Sequence, residues 1–159
     1  MNEYEAKLKK YICDNKISAE HLSFNQSCHS VEEAAQTVNA SKEDFVKNIC
    51  LIDSEGNLIV AIIKGEDKVD ISKIEKKYNT KKLRFATKQE ILDKTGYPCG
   101  GTPSFGYKAK FLIDSKVMEK DIVYSGGGSE NSLVKISTLE LQKSNKGKIV
   151  EVKKIITFL

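Results

Sequence analysis

Two stretches of this sequence carry residue types that could do chemistry. Lys47 lies in Phe45-Val46-Lys47-Asn48-Ile49-Cys50-Leu51, where strand alternation puts it on one face with Phe45, Ile49 and Leu51. If that face points inward, the ammonium group needs an anion or a polarisable oxygen beside it, and burial lowers its pKa. The competing reading is that the strand begins later and Lys47 snorkels into water. The second stretch is Gly96-Tyr97-Pro98-Cys99-Gly100-Gly101-Thr102-Pro103-Ser104-Phe105-Gly106-Tyr107, which holds both prolines and four of the ten glycines. Glycine admits positive φ and close approach, while proline fixes φ and removes a donor. The stretch is therefore predicted to be a rigid loop with directed N–H and C=O groups, able to hold a small polar ligand, or else a tight connector.

Other chemistries fit less well. Gly101 and Gly106 have the spacing of phosphate-loop glycines, but Tyr107-Lys108 follows where Lys-Ser/Thr is required, and no G-x-G-x-x-G occurs, which argues against a nucleoside-triphosphate site. Four scattered cysteines without a C-x-x-C pair, and two histidines, argue against structural zinc and for free thiols in a reducing compartment. His29 and Cys99 invite a thiol–imidazole dyad, yet no partner pattern accompanies them. Ser125-Gly126-Gly127-Gly128-Ser129 reads as a strand running into a glycine turn. Asp114, after Phe111-Leu112-Ile113, either caps the next turn or faces a site.

A chain of 159 residues, 40% hydrophobic and 30% charged, has the make-up of one globular domain spanning 1–159. The polar start Met1-Asn2-Glu3-Tyr4-Glu5 is unlike a secretory signal, and no apolar run approaches the ~18 residues of a membrane span, so a cytoplasmic protein without membrane contact is expected. The net charge of +4 is uneven: eight basic residues face four acids between Lys64 and Arg84, and five lysines face Glu151 between Lys143 and Lys154. Such patches either steer a polyanion or keep the surface solvated.

The elements that must position these residues follow from periodicity. Tyr4, Leu8, Tyr11 and Ile12 mark an amphipathic helix over residues 3–14. A short strand near His21 to Asn25 precedes a helix opened by the capping box Ser30/Glu33, and further boxes at Ser72/Glu75, Thr87/Glu90 and Ser137/Glu140 predict three more helices. Strands are predicted at Phe45 to Ile52, Leu58 to Ile63, Lys82 to Phe85, Phe111 to Ile113, Ile122 to Tyr124 and Leu133 to Ile136, with a last strand in the apolar tail from Lys148 to Leu159. Leu58 to Ile63 is apolar on both faces, as a central strand is. The order suggests a mixed α/β domain: one mixed, mostly antiparallel sheet or a partial barrel, with helices packed around it.

Taken together, Ser30-Val31-Glu32-Glu33-Ala34-Ala35, Phe45-Val46-Lys47-Asn48, the loop from Thr95 to Gly106, Ile113-Asp114, Ser125 to Gly128 and Leu133 to Ser137 resemble, in collinear order, the YbaK-type aminoacyl-tRNA deacylases, relatives of the editing domain inserted in bacterial prolyl-tRNA synthetases. The sequence departs from the family pattern at Asn48, where members commonly carry Thr, and at Ser104, where many carry the loop proline. The resemblance implies a hydrolase that cleaves the ester of a mischarged tRNA, with proline tRNA carrying alanine or cysteine as the expected substrate. A synthetase is a possible partner, and no metal or cofactor is called for. It implies catalytic roles for Lys47 and Gly101. Substrate contacts are expected from Phe24, His29, Asn48, Gly100, Thr102, Pro103, Ser104, Phe105, Gly106, Asp114, Ser125, Gly126 and Gly127. Phe24, Tyr97 and Phe105 are candidate pocket walls, or else core aromatics. Two alternatives stand beside this reading: a non-catalytic module that binds tRNA or a synthetase, and a thiol hydrolase built on Cys99.

Overall fold

The computed structural model describes residues 2–25 and 31–155. Helix α1 (Glu3–Asp14) starts at Asn2, whose side chain accepts the Glu5 N–H at 2.9 Å, and it buries Leu8 and Ile12. Strand β1 (Ala19–Ser23) begins before the predicted span, and α2 (Val31–Val38) follows. The proposed cap Ser30 lies outside the described residues, as do His29 and Cys28. A single 3-10 turn (Lys42–Asp44), boxed by Ser41 and Asp44, leads into β2 (Val46–Ile52). A tight turn, in which the Asp53 carboxylate accepts the N–H groups of Glu55 and Asn57 at 2.9 Å, connects β2 to β3 (Leu58–Lys64).

Helix α3 (Ile71–Tyr78) corrects one predicted cap. Asp70, not Ser72, accepts the Lys73 N–H, at 3.2 Å, and Glu75 instead accepts the Leu83 N–H at 3.1 Å. Strand β4 is only Arg84–Phe85. The Thr87/Glu90 box of α4 (Lys88–Thr95) is complete in both directions. Then come β5 (Lys110–Asp114), a 3-10 turn (Val117–Glu119), β6 (Ile122–Gly126), β7 (Ser132–Ser137), α5 (Thr138–Asn145) and β8 (Lys148–Val150). Ser137 caps α5, but the Glu140 carboxylate reaches the Ser18 N–H at 2.6 Å rather than closing a box. Within the predicted tail strand only Lys148–Val150 forms a strand, β8, among the described residues; of its apolar end, residues 156–159 lie outside them.

The domain is mixed α/β, as expected, but its strands form two sheets rather than one, and they do not close into a barrel. In the five-stranded sheet, order β4-β2-β3-β5-β8, β2 pairs antiparallel with β3 and β4, while β3, β5 and β8 run parallel. The second sheet, order β1-β7-β6, is antiparallel throughout. They meet at a bridge between Phe45 and Tyr124, whose rings stack with centroids 5.0 Å apart. Strand β3 is buried on both faces: Val60 and Ile62 join the core with Val123, Val134 and Ile136 of the smaller sheet, while Ile59 and Ile63 pack with Ile74 of α3.

Asp114 is not placed to hold a ligand. Fully buried, its carboxylate accepts the N–H groups of Val152 at 2.8 Å, Lys153 at 3.2 Å and Lys116 at 3.1 Å, fastening the end of β5 to the chain after β8. Asp114→Ala strips these amides of their acceptor and is expected to lower unfolding free energy by about 1–3 kcal/mol, read as a shift in the urea midpoint at unchanged slope.

Candidate functional site

Alternation along β2 sends consecutive residues to opposite sides of the sheet. Val46, Cys50 and Ile52 face the core between the sheets, and Asn48 faces the same way. Ile49 and Leu51 face α3. Lys47 belongs with this second set, as expected; Phe45 does not, because the strand begins after it and its ring turns to Tyr124.

Asn48 carries the contact with the glycine-proline loop. Its Nδ2 donates to the Thr102 carbonyl at 2.9 Å and to Ser125 Oγ at 3.1 Å, and its Oδ1 accepts from Ser104 Oγ at 2.7 Å. The Ser104 and Ser125 hydroxyls are 2.6 Å apart. Because a carbonyl can only accept, Thr102 fixes the amide orientation, and Ser125 must donate to Ser104. Asn48, Ser125 and Ser104 thus form a closed ring of hydrogen bonds, with both serines almost completely buried. Gly126 lets the backbones meet there: a Cβ on it would lie 2.2 Å from the Thr102 oxygen.

Beside this ring lies a cavity of about 300 Å³, lined by Lys47 and Asn48 of β2, Gly100 and Thr102 of the loop, and Ser125 and Gly126 of β6. Its remaining walls are mostly apolar and include Ala34, Phe45, Ile91, Tyr124 and Leu133. Gly100, at φ 92°, is the third residue of a turn closed by the Gly101 N–H and the Pro98 carbonyl at 3.0 Å, where a type II turn requires positive φ. The Gly100 amide has no hydrogen-bond partner among the described residues.

The Lys47 ammonium donates to the Asp67 carbonyl at 2.9 Å, in the connection between β3 and α3. Burial depresses its pKa; the Asp67 carboxylate opposes that shift and Lys68 adds to it. Lys47 thus lines the cavity as a residue, while its half-buried ammonium is held by a backbone oxygen on the α3 side of the strand.

Several expected contacts serve structure instead. Gly101 lends its N–H to the turn and accepts the Gly128 N–H at 2.8 Å, and so supplies no free donor. The Pro103 carbonyl accepts the Tyr107 hydroxyl at 2.6 Å, and the Gly127 carbonyl accepts from His21 Nε2 at 2.7 Å. Gly106 packs on Tyr11. Phe105 and Tyr97 are fully buried core aromatics, Phe105 stacked on Tyr11. Burial pushes the Tyr97 hydroxyl up to about 12. Phe24 packs against the cluster of Ala34, Ala35, Phe45 and Leu133 and does not itself line the cavity. Cys99 is exposed and lines the cavity; a dyad with His29 falls outside the described residues. Among the described residues no cluster of three or more His, Cys, Asp or Glu is placed to hold a metal. The sequence reading missed Tyr124 and Leu133 as cavity walls, although their strands were recognised.

The chain belongs to the aminoacyl-tRNA editing domain family, whose model matches residues 25–144. It is 32% identical over 120 residues to the proline–tRNA ligase of Pseudothermotoga lettingae, covering 74% of this chain but 21% of that enzyme. It is 20% identical over 125 residues to EbsC of Enterococcus faecalis, a candidate Cys-tRNA(Pro)/Cys-tRNA(Cys) deacylase, covering 77% of this chain and 76% of that protein. A solved structure described as a candidate trans-editing enzyme for prolyl-tRNA synthetase superimposes with a TM-score of 0.90 at 20% identity, covering 98% of this chain and 99% of that one. Among the described residues no helix is long and apolar enough to cross a membrane.

Removing the Asn48 amide leaves the Thr102 carbonyl and two buried hydroxyls short of partners. Asn48→Ala is expected to cost about 1–3 kcal/mol in urea denaturation. It should also speed hydrogen exchange at the amide of Gly101, the N–H that closes the turn.

Proposed function

We propose that the protein is a trans-editing deacylase that hydrolyses the ester between a small, wrongly attached amino acid and the 3′ end of a tRNA, with proline tRNA carrying alanine or cysteine as its substrate. The observation that carries this reading is the cavity itself. It is at the small end of ligand-pocket sizes, largely apolar, and lined by Lys47 and by Gly100, whose amide has no partner among the described residues. Membership of the editing family and the named relatives support the choice of substrate.

An aminoacyl ester is already activated, so the site has to place water and stabilise an oxyanion rather than supply a strong nucleophile. The Gly100 amide is suited to receive the developing negative charge. Lys47, leaving the Asp67 carbonyl, binds the ester oxygen or the terminal phosphate. No carboxylate lines the cavity among the described residues, so the substrate's α-amino group is met by carbonyl groups and Asn48 rather than by an ion pair. The apolar walls act as a size sieve. One methylene is worth only ~1–3 kcal/mol of discrimination in a synthetase, which is why a second, hydrolytic selection is useful.

A panel of mischarged tRNAs tests the proposal. Turnover is expected on alanyl- or cysteinyl-tRNA for proline, and Lys47→Ala should reduce kcat/KM by ~10²–10³. Full activity in that variant would contradict the mechanism, and salt-sensitive tRNA binding without turnover on any species would identify a non-catalytic module. The pH profile carries a sign. Because the folded pKa of Lys47 lies below that of an ordinary lysine, a cation-dependent rate should be lost on the alkaline side before a free lysine would deprotonate. Asp67→Asn should move that limb to lower pH, since the carboxylate favours the charged form.

A further inference from the structure

A larger cavity, about 960 Å³, lies at the other end of the β2–β3 hairpin, between the 53–57 turn, the end of α3 and the start of β5, and the proposed reaction makes no use of it. Four lysines line it: Lys81, Lys94, Lys108 and Lys110. Lys81 and Lys108 are exposed, with no hydrogen-bond or ion-pair partner among the described residues. Lys94 bonds the Gly56 carbonyl at 2.8 Å. The ammonium of Lys110 sits 3.8 Å from the Tyr78 ring centroid, with Lys148 5.9 Å from the same ring. Burial and then Lys148 lower the Lys110 pKa. Two carboxylates line the cleft, and Asp53 is turned onto the amides of its own turn, leaving Glu55. The cleft therefore gathers cations that the protein itself does not neutralise, in a concave setting that a merely solubilising surface would not need.

The form of the cleft selects among anions. A single nucleotide is gripped by directed donors such as a glycine-rich turn or an arginine fork. Here the donors are separate ammonium groups, two of them without a partner among the described residues, spread along the cleft, and Arg84, which stands nearby in sequence, is already held by both oxygens of Glu90 at 2.8 Å. Spaced point charges suit a repeating backbone of phosphates. Helix α4 touches both cavities: Ile91 lines the smaller one and Lys94 lines the cleft, three residues or about 4.5 Å of helix rise apart. Just ahead of α4, Phe85 is 59% exposed, an aromatic platform of the kind on which unpaired bases stack.

We propose that the lysine cleft binds the phosphodiester backbone of an RNA stem and holds it while the single-stranded 3′ end passes α4 into the smaller cavity. The cleft as a binding site stands by itself; only the routing of the 3′ end rests on the deacylase reading.

The experiment is a titration of a fluorescent RNA hairpin that carries no amino acid and has a single-stranded 3′ end, against the full chain and against Lys81→Gln/Lys108→Gln/Lys110→Gln, between about 50 and 200 mM salt. The wild type should bind with an affinity that falls steeply with salt. The triple variant should lose about tenfold or more, with a log–log salt slope shallower by about 2–3, the change expected for three lost phosphate contacts. Because Lys110 packs on Tyr78, the pair Lys81→Glu/Lys108→Glu is tested alongside, with thermal melting to establish that each variant is folded. Unchanged affinity and slope in a folded variant would overturn the proposal. So would displacement of the hairpin by micromolar ATP, which would make the cleft a nucleotide site. Hydrolysis is not read here, so a protein that binds the hairpin through these lysines but deacylates nothing keeps the cleft and loses the enzyme. One that deacylates with cleft-independent binding does the reverse.

Discussion

The side chain of Asn48 satisfies hydrogen bonds with three residues from two parts of the chain: Thr102 and Ser104 in the loop, and Ser125 at the end of β6. A half-satisfied polar cluster in such a place would cost more than an apolar one, so the ring must form completely or not at all. That requirement fixes the loop against two strands belonging to different sheets. The close approach at Gly126, the turn at Gly100 and the hollow beside them follow from it.

Consecutive residues of one strand thereby take on separate duties. Asn48 shapes the cavity from the core side, while Lys47, also a lining residue, sends its side chain to the opposite face and keeps its ammonium on the Asp67 carbonyl. A cation parked on a neutral oxygen at modest depth can be exchanged to an incoming ligand at small cost, because one hydrogen bond replaces another. An ion pair of similar burial would be harder to break.

Much of the fold was legible from local signals. The boxes at Thr87/Glu90 and Ser137 are short-range devices, and the doubly apolar run of β3 announced a central strand. What failed depended on distance. Ser72 lost its capping role to Asp70 because the helix begins at Ile71, with Glu75 turned to the distant Leu83 amide, and the two sheets meet where Phe45 reaches Tyr124 across a long sequence separation. The site shows the same split. The loop and the lysine were visible as an unusual clustering and a broken alternation, and Asn48 was marked only as a departure from a family pattern. Its partners lie 54, 56 and 77 residues away, and no periodicity points to them. Gly101, given a catalytic role by resemblance, and Asp114, grouped with the substrate contacts, turn out to spend their polar groups on the backbone.

The account stands on the claim that the aminoacyl group sits in the hollow beside the Asn48 ring. A crystal structure with a stable 3′-amide analogue of an alanyl-adenosine end addresses it directly. The account expects the alanyl side chain among Phe45, Tyr124 and Leu133, with the carbonyl oxygen within hydrogen-bond reach of the Gly100 amide. Density for the analogue elsewhere on the molecule, with this hollow holding only solvent at saturating concentration, would contradict it.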